Sequence, residues 1–226
     1  AFDLAVEHVT ELRTEHTAIL FLLPVIGLVI VAFYKAAKLE GVSTDDMIDC
    51  VKDGKPIRFW LLPVMFISTV LTHLGGGSAG REGAALQMGG TIGWWAGGVL
   101  HLNEHERRMA VQCGMAAFFS ALFSTPLAAT FFAMTIVNVG VVFYAAYIPC
   151  FAAALIAYGI SLLIGVSPTR FAVDVPAFEP AMAVRVVLLA LACAVVVHLF
   201  CFVLHSAAHG LPKLLPNPWV RALLGG

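Results

Sequence analysis

Charge is the scarcest commodity in this 226-residue sequence. Asp, Glu, Lys and Arg together make up 12% of it, about half the roughly 25% of a soluble domain. The signs nearly cancel to a net charge of −1, which excludes the basic face that a nucleic-acid partner calls for. Cysteine is sparse and unpaired. Cys50, Cys113, Cys150, Cys193 and Cys201 include no C-x-x-C, so neither a zinc site nor a disulfide framework is indicated. Four of them lie in apolar runs and read as small hydrophobes. Acid is absent altogether from Pro126 to Val166. The one glycine-dense stretch lacks the Gly-Lys-Ser/Thr ending of a P-loop, and no βαβ pattern surrounds it. A soluble nucleotide-binding enzyme is thereby disfavoured.

Apolar residues fill the space left by charge. They make up 60% of the chain, with a mean hydropathy of +0.92, more than a soluble surface of this size can hide. Thr17 to Tyr34 is long enough to span a bilayer despite Pro24. Lys35 to Arg58 is hydrophilic and carries the densest set of cations, which places it in the cytoplasm. Phe59 to Leu74 is apolar but short, and it runs into Gly75-Gly76-Gly77-Ser78-Ala79-Gly80-Arg81-Glu82-Gly83. Ala84 to Leu102 follows, rich in small residues, then a polar connection from Asn103 to Arg108. Met109 to Asn138 is apolar but split by Ser124-Thr125-Pro126, and Val139 to Val166 is a further run. A loop from Ser167 to Pro180 precedes Val184 to Leu204, the cleanest span, and Leu211 to Pro218 is a proline-broken connector. Short, paired and interrupted segments of this kind suit transporters, whose discontinuous helices meet around a protected cavity. The expectation is an all-α polytopic membrane protein with broken and short helices, residues 1–226 forming one membrane domain. The opening at Ala1 and the ending at Leu223-Leu224-Gly225-Gly226 read as cuts within a longer protein.

The stretch from Gly75 to Gly83 carries the chemistry. Glycines permit close backbone approach and positive φ. A glycine-rich turn that opens a helix aims free amides at one point, reinforced by the helix dipole. Such a site holds an anion without a full positive charge, so the ion can still leave. Glu82 lies at this presumed helix start, and an ionisable residue flanked by apolar runs is a functional candidate by default. Its carboxylate can occupy the anion's place and vacate it on protonation. Pairing with Arg81, or simple capping, is the structural alternative.

Gly80-Arg81-Glu82-Gly83 followed by Gln87-Met88-Gly89-Gly90 resembles the signature of the CLC family of chloride channels and proton-coupled anion antiporters. Lys55-Pro56-Ile57-Arg58-Phe59-Trp60 with Leu62-Pro63-Val64, Phe123-Ser124-Thr125-Pro126-Leu127-Ala128, and Trp219 to Gly226 resemble further family segments in the family's order. The resemblance implies the first repeat of an inverted-repeat fold and transport of a small anion, chloride first. It implies no enzymatic activity, no cofactor and no metal. The gating glutamate maps to Glu82. Gly80, Arg81, Glu82, Gly83 and Ala84 are the implied anion-binding residues, joined by Ser43 from the loop Gly41-Val42-Ser43-Thr44-Asp45-Asp46, where Val42 stands at the family's serine position. The implied setting is a homodimer in a lipid bilayer, expected to be a bacterial inner membrane, with the face around Val186 to Val203 as subunit contact.

Two departures narrow this. Ile136 stands where coupled exchangers carry an inner glutamate, which leaves the usual two-glutamate proton route without its second member. Ala84 replaces a proline, and Thr72 to Gly80 is similar to the fluoride-exporting branch, so a fluoride antiporter is the alternative substrate reading. A non-transporting membrane scaffold is the alternative outside transport. The family's remaining ligands belong to a second repeat beyond this sequence. His73 beside the glycines could tune Glu82, although a backbone-satisfied histidine is the simpler reading. His198 and His205 share a helix face, but a metal site would need a third ligand and a supporting shell. Trp94 and Trp95 suit an interface or helix packing. Gly89, Gly90, Gly93, Gly97 and Gly98 offer a surface for close helix contact.

Overall fold

The computed structural model describes residues 2–137, 144–166 and 180–225. The expected loop from Ser167 to Pro180 and the start of the Val139 run fall almost wholly outside them. Every regular element among the described residues is helical. The chain divides into two compact units, one up to residue 169 and one from residue 170 to 225.

The first unit holds α1 (Phe2–Glu15), a 3₁₀ turn (Thr17–Leu22), α2 (Leu23–Ala36), α3 (Thr44–Asp53), α4 (Leu61–Leu74), α5 (Glu82–Val99), α6 (Glu104–Phe123), α7 (Pro126–Thr135) and, after a second 3₁₀ turn, α8 (Tyr147–Leu163). The second holds α9 (Pro180–Leu214) and α10 (Pro218–Gly225). Among the described residues, three stretches are long and apolar enough to cross a membrane: Thr17–Ala36, Tyr144–Leu163 and Met182–Leu214. Leu61–Leu74 and Pro126–Thr135 are apolar but shorter. Pro24 is accommodated because it falls in the first turn of α2, where a missing N–H costs nothing.

Capping chemistry sets several boundaries and corrects two expectations. The stretch Asn103 to Arg108 is the start of α6 rather than a connection. The Asn103 side chain accepts from the Glu106 amide at 2.9 Å, and the Asn103 amide donates to the Glu106 carboxylate at 3.0 Å. Within the hydrophilic segment Lys35 to Arg58, Ser43 and Asp46 form the same reciprocal cap and start α3. Gly54, at φ +70°, ends that helix in the left-handed conformation. The break between α6 and α7 is at Ser124 (φ +57°), with Pro126 at the first position of α7. At the far end, α9 extends past the expected start of the connector at Leu211, contains Pro212 and stops at Leu214, so the break itself is residues 215–217, before Pro218 opens α10.

The tightest packing is α5 on α6. A Cβ built on Gly89 would sit 2.9 Å from the Gly114 carbonyl carbon, and one on Gly93 would sit 2.8 Å from that of Ala110. The two backbones therefore touch, which only small residues allow. Farther along, the Arg107 guanidinium lies 3.8 Å from the Trp94 ring centroid and donates to the Trp94 carbonyl at 2.9 Å. On the other side of α6, Ser120 donates to the Ala154 carbonyl of α8 at 2.9 Å. These contacts fix α5 as a rigid element whose N-terminus is the start of the signature.

Candidate anion site

The chain leaves α4 through a tight glycine turn. The Gly76 amide bonds the His73 carbonyl and the Gly77 amide that of Thr72, with Gly76 at φ +79°. Any side chain at Gly75 would strike Ile26 and Leu23 of α2, at 2.8 and 2.9 Å. The turn therefore lies close against α2, and a Cβ there would need the ends of those two side chains to shift. It delivers Arg81 to the N-cap position of α5 and Glu82 to its first residue.

At this end the first intrahelical bond is Ala85 N–H to the Arg81 carbonyl, 2.9 Å. The amides of Glu82, Gly83 and Ala84 precede it and carry the positive end of the helix. Glu82 is exposed, and its carboxylate curls back over Gly80, occupying the space a Cβ there would need. Gly80 is exposed as well. Arg81 is half-buried and turned away, with Nη1 2.6 Å from Asp3 Oδ1 on α1. The Ala84 side chain is buried with Phe2, Val6 and Met88 in an apolar cluster, which leaves only its amide for an anion.

Ser43 is occupied in the cap of its own helix. Its hydroxyl accepts from the Asp45 amide at 3.2 Å, and its amide donates to Asp46 Oδ2 at 2.7 Å. The neighbouring Thr44 makes the junction instead. A Cβ on Gly83 would stand 3.4 Å from the Thr44 hydroxyl oxygen. Gln87, one turn into α5, donates to that same oxygen at 3.3 Å. Two helix starts, α3 and α5, are thus brought side by side around Thr44. The Gln87 amide is 6% exposed and its Oε1 finds no protein partner. Sequence reading missed Thr44 and Gln87 as site neighbours. No local signal brings them together, since the contact joins residues 43 apart in sequence.

The inner position expected to lack a carboxylate is filled by apolar packing, Ile136 lying half-buried against the main hydrophobic cluster. His73 bonds the Thr69 carbonyl within α4 at 2.8 Å. The His205 and His209 rings of α9 are tilted against each other with centroids 4.3 Å apart. No cluster of three metal-ligating side chains occurs among the described residues.

Interrupted apolar helices, with two helix starts brought together around Thr44, define a polytopic α-helical membrane bundle with a candidate anion site at the start of α5. Residues 22–226 match the family described as "Voltage gated chloride channel", and the chain belongs to it. It is an integral membrane protein of a family of channels and transporters, not enzymes. Among its relatives, a "Chloride/fluoride channel protein" of Pseudomonas syringae pv. tomato (strain ATCC BAA-871 / DC3000) is 34% identical over 176 residues, 76% of this chain and 38% of that protein. A solved structure described as a "CLC-type fluoride/proton antiporter" superposes with a TM-score of 0.91 at 28% identity, over 99% of this chain and 57% of the other. The chain thus spans about two fifths of the one and somewhat over half of the other.

Proposed function

We propose that this chain supplies the first-repeat half of a transmembrane pathway for a small inorganic anion, chloride in the first instance, with Glu82 as its gate. The observation that carries this reading is the pairing of two helix starts, α3 and α5, around Thr44, with an exposed carboxylate at the tip of one of them. A partly dehydrated anion at the α5 start would be held by the amides of Glu82, Gly83 and Ala84. Amides bind by dipole rather than net charge, which keeps the hold weak enough for release. The Glu82 carboxylate competes for the same positive end. Protonation removes the competitor and admits the ion, so flux rises as pH falls. The second half of the pathway, in a bacterial inner membrane and a homodimer with its contact on α9, completes the proposal.

Fluoride is the second reading. It is supported by Ala84 in place of proline and by the relatives, of which one is named for chloride and fluoride and one for fluoride–proton exchange. Proton movement would then run through Glu82 without a second carboxylate between Pro126 and Val166, since none is present.

The test is chloride and fluoride efflux from liposomes holding the full-length protein, wild type and Glu82→Gln. In wild type, flux of one of the two anions should increase on acidification. In Glu82→Gln, that anion should still pass but with a flat pH profile. An unchanged pH profile in the variant would sink the gate assignment. Wild-type liposomes impermeable to both anions would sink the transport reading and leave the scaffold alternative.

A further inference from the structure

A full positive charge sits one residue from the proposed anion site, and α1 supplies its counter-charge. Arg81 is at the N-cap of α5, beside the amides of Glu82, Gly83 and Ala84. Its guanidinium is not left to the anion: Asp3, 78 residues away in sequence, takes it at 2.6 Å. The Asp3 side chain is 17% exposed against 37% for Arg81, so the carboxylate is the more enclosed partner. Exposed pairs contribute little, but this one is shielded and held in place by its neighbours. Phe2 and Val6 are buried beside Ala84, Ala85 and Met88, and the Phe2 ring packs on Phe66 (5.7 Å) and Phe118 (5.8 Å). Asp3 also lies in the first turn of α1, where its negative charge is favoured by that helix's own dipole. At the other end of α1, Arg13 donates to the His73 carbonyl at 2.9 Å, where α4 gives way to the glycines. The helix therefore braces both ends of the segment from Gly75 to Arg81.

We propose that Asp3 is a positioning residue for anion transport: it neutralises Arg81 and so sets the potential in which Glu82 and the anion compete for the α5 start. This deepens the transport reading and rests on it. The other charged and titratable groups on the elements packed there are Arg13 on α1, His73 on α4, and Asp45 and Asp46 in the first turn of α3. Of these, His73 is bonded to its own helix and Asp46 to the α3 cap. Glu7, His8, Glu11 and Glu15 on α1 are exposed. Only Asp3 engages Arg81 among the ion pairs of the described residues. Without it, the arginine charge faces the helix start uncompensated. Both the anion and the Glu82 carboxylate are then held more tightly. Release slows, and more acid is needed to clear the gate.

The experiment is anion efflux from liposomes with full-length protein carrying Asp3→Asn, Asp3→Glu, Arg81→Gln and the Asp3→Asn/Arg81→Gln pair. For Asp3→Asn, the half-saturating anion concentration should fall about threefold to tenfold and maximal flux should drop, as for an uncompensated charge at partial screening. The midpoint of the pH profile should move about half a unit or more toward acid. Asp3→Glu should restore most of the wild-type behaviour. In the Arg81→Gln background, Asp3→Asn should change neither quantity, because the charge it balances is gone. A wild-type profile in Asp3→Asn overturns the proposal and leaves transport intact. So does an effect of Asp3→Asn that persists without Arg81. Loss of folded protein in Asp3→Asn overturns it too, since the pair would then serve the fold. Absence of flux from wild type fells the transport reading and this proposal together.

Discussion

Gly114→Ala should be among the most damaging single-methyl changes in the chain. Gly114 lies on α6 where it crosses α5, and a Cβ there would stand 3.0 Å from both the Gly89 carbonyl carbon and the Gly93 nitrogen. These atoms are backbone, so no side chain can rotate out of the way and the helices must part. Overpacking of this kind costs about 1–3 kcal/mol, and an unyielding backbone on both sides puts the figure near the top of that range. Alanine's better helix propensity returns about 1 kcal/mol. The net loss is then about 2 kcal/mol. Gly159→Ala makes the same chemical change on α8, where a Cβ meets nothing within 4 Å. Propensity alone acts there, a gain of up to about 1 kcal/mol. The two variants should therefore differ by about 3 kcal/mol. Denaturant titration in detergent micelles, followed by tryptophan fluorescence, reads the difference directly, since Trp94 and Trp95 lie on α5. Two variants within about 1 kcal/mol of each other would refute the claim that backbone contact, not glycine flexibility, explains the small residues on this face.

Three further outcomes follow from local chemistry. Asn103→Ala should remove the reciprocal cap of α6 and cost about 1 kcal/mol in the same titration, while Asn103→Ser retains most of it; equal losses would mean that the cap does not hold the helix start. Burial pushes the Cys50 thiol up to about 12, against the opposing pull of Arg107 and Arg108. Native protein at pH 8 should leave Cys50 unalkylated by iodoacetamide, and unfolding should expose it to rapid modification; fast labelling of the native chain would contradict the burial. The sign for stability follows from the same shift. Above about pH 8.5 the unfolded thiol loses its proton and the folded one keeps it until about 12, so Cys50 should erode stability as pH rises through that window.

The membrane class, the all-helical fold and the candidate spans were legible in the residues themselves. Long apolar runs have one stable solution in a bilayer, because every backbone group must be satisfied within its own helix. The start of α5 at Glu82 was legible too, because a glycine turn, an ionisable residue and an apolar run adjoin in sequence. The Asn103–Glu106 and Ser43–Asp46 caps were equally local, yet polar composition disguised them as loops. Reading them needed the reciprocal spacing rather than hydropathy.

Pairing across the chain was decided by the tertiary structure alone. Nothing near Thr44 says that its hydroxyl will meet Gly83 and Gln87, some forty residues on. Ser43 and Thr44 are equivalent candidates until the backbone turns one toward its own cap and the other toward α5. Asp3 reads as an ordinary first-turn acid until α1 lies along the glycine segment and meets Arg81. The physical reason is range. Propensity, capping and hydropathy act over a few residues and are written in the local sequence. The potential at an ion site is summed over charges within about 10 Å in space, and only the folded path of the backbone decides which residues those are.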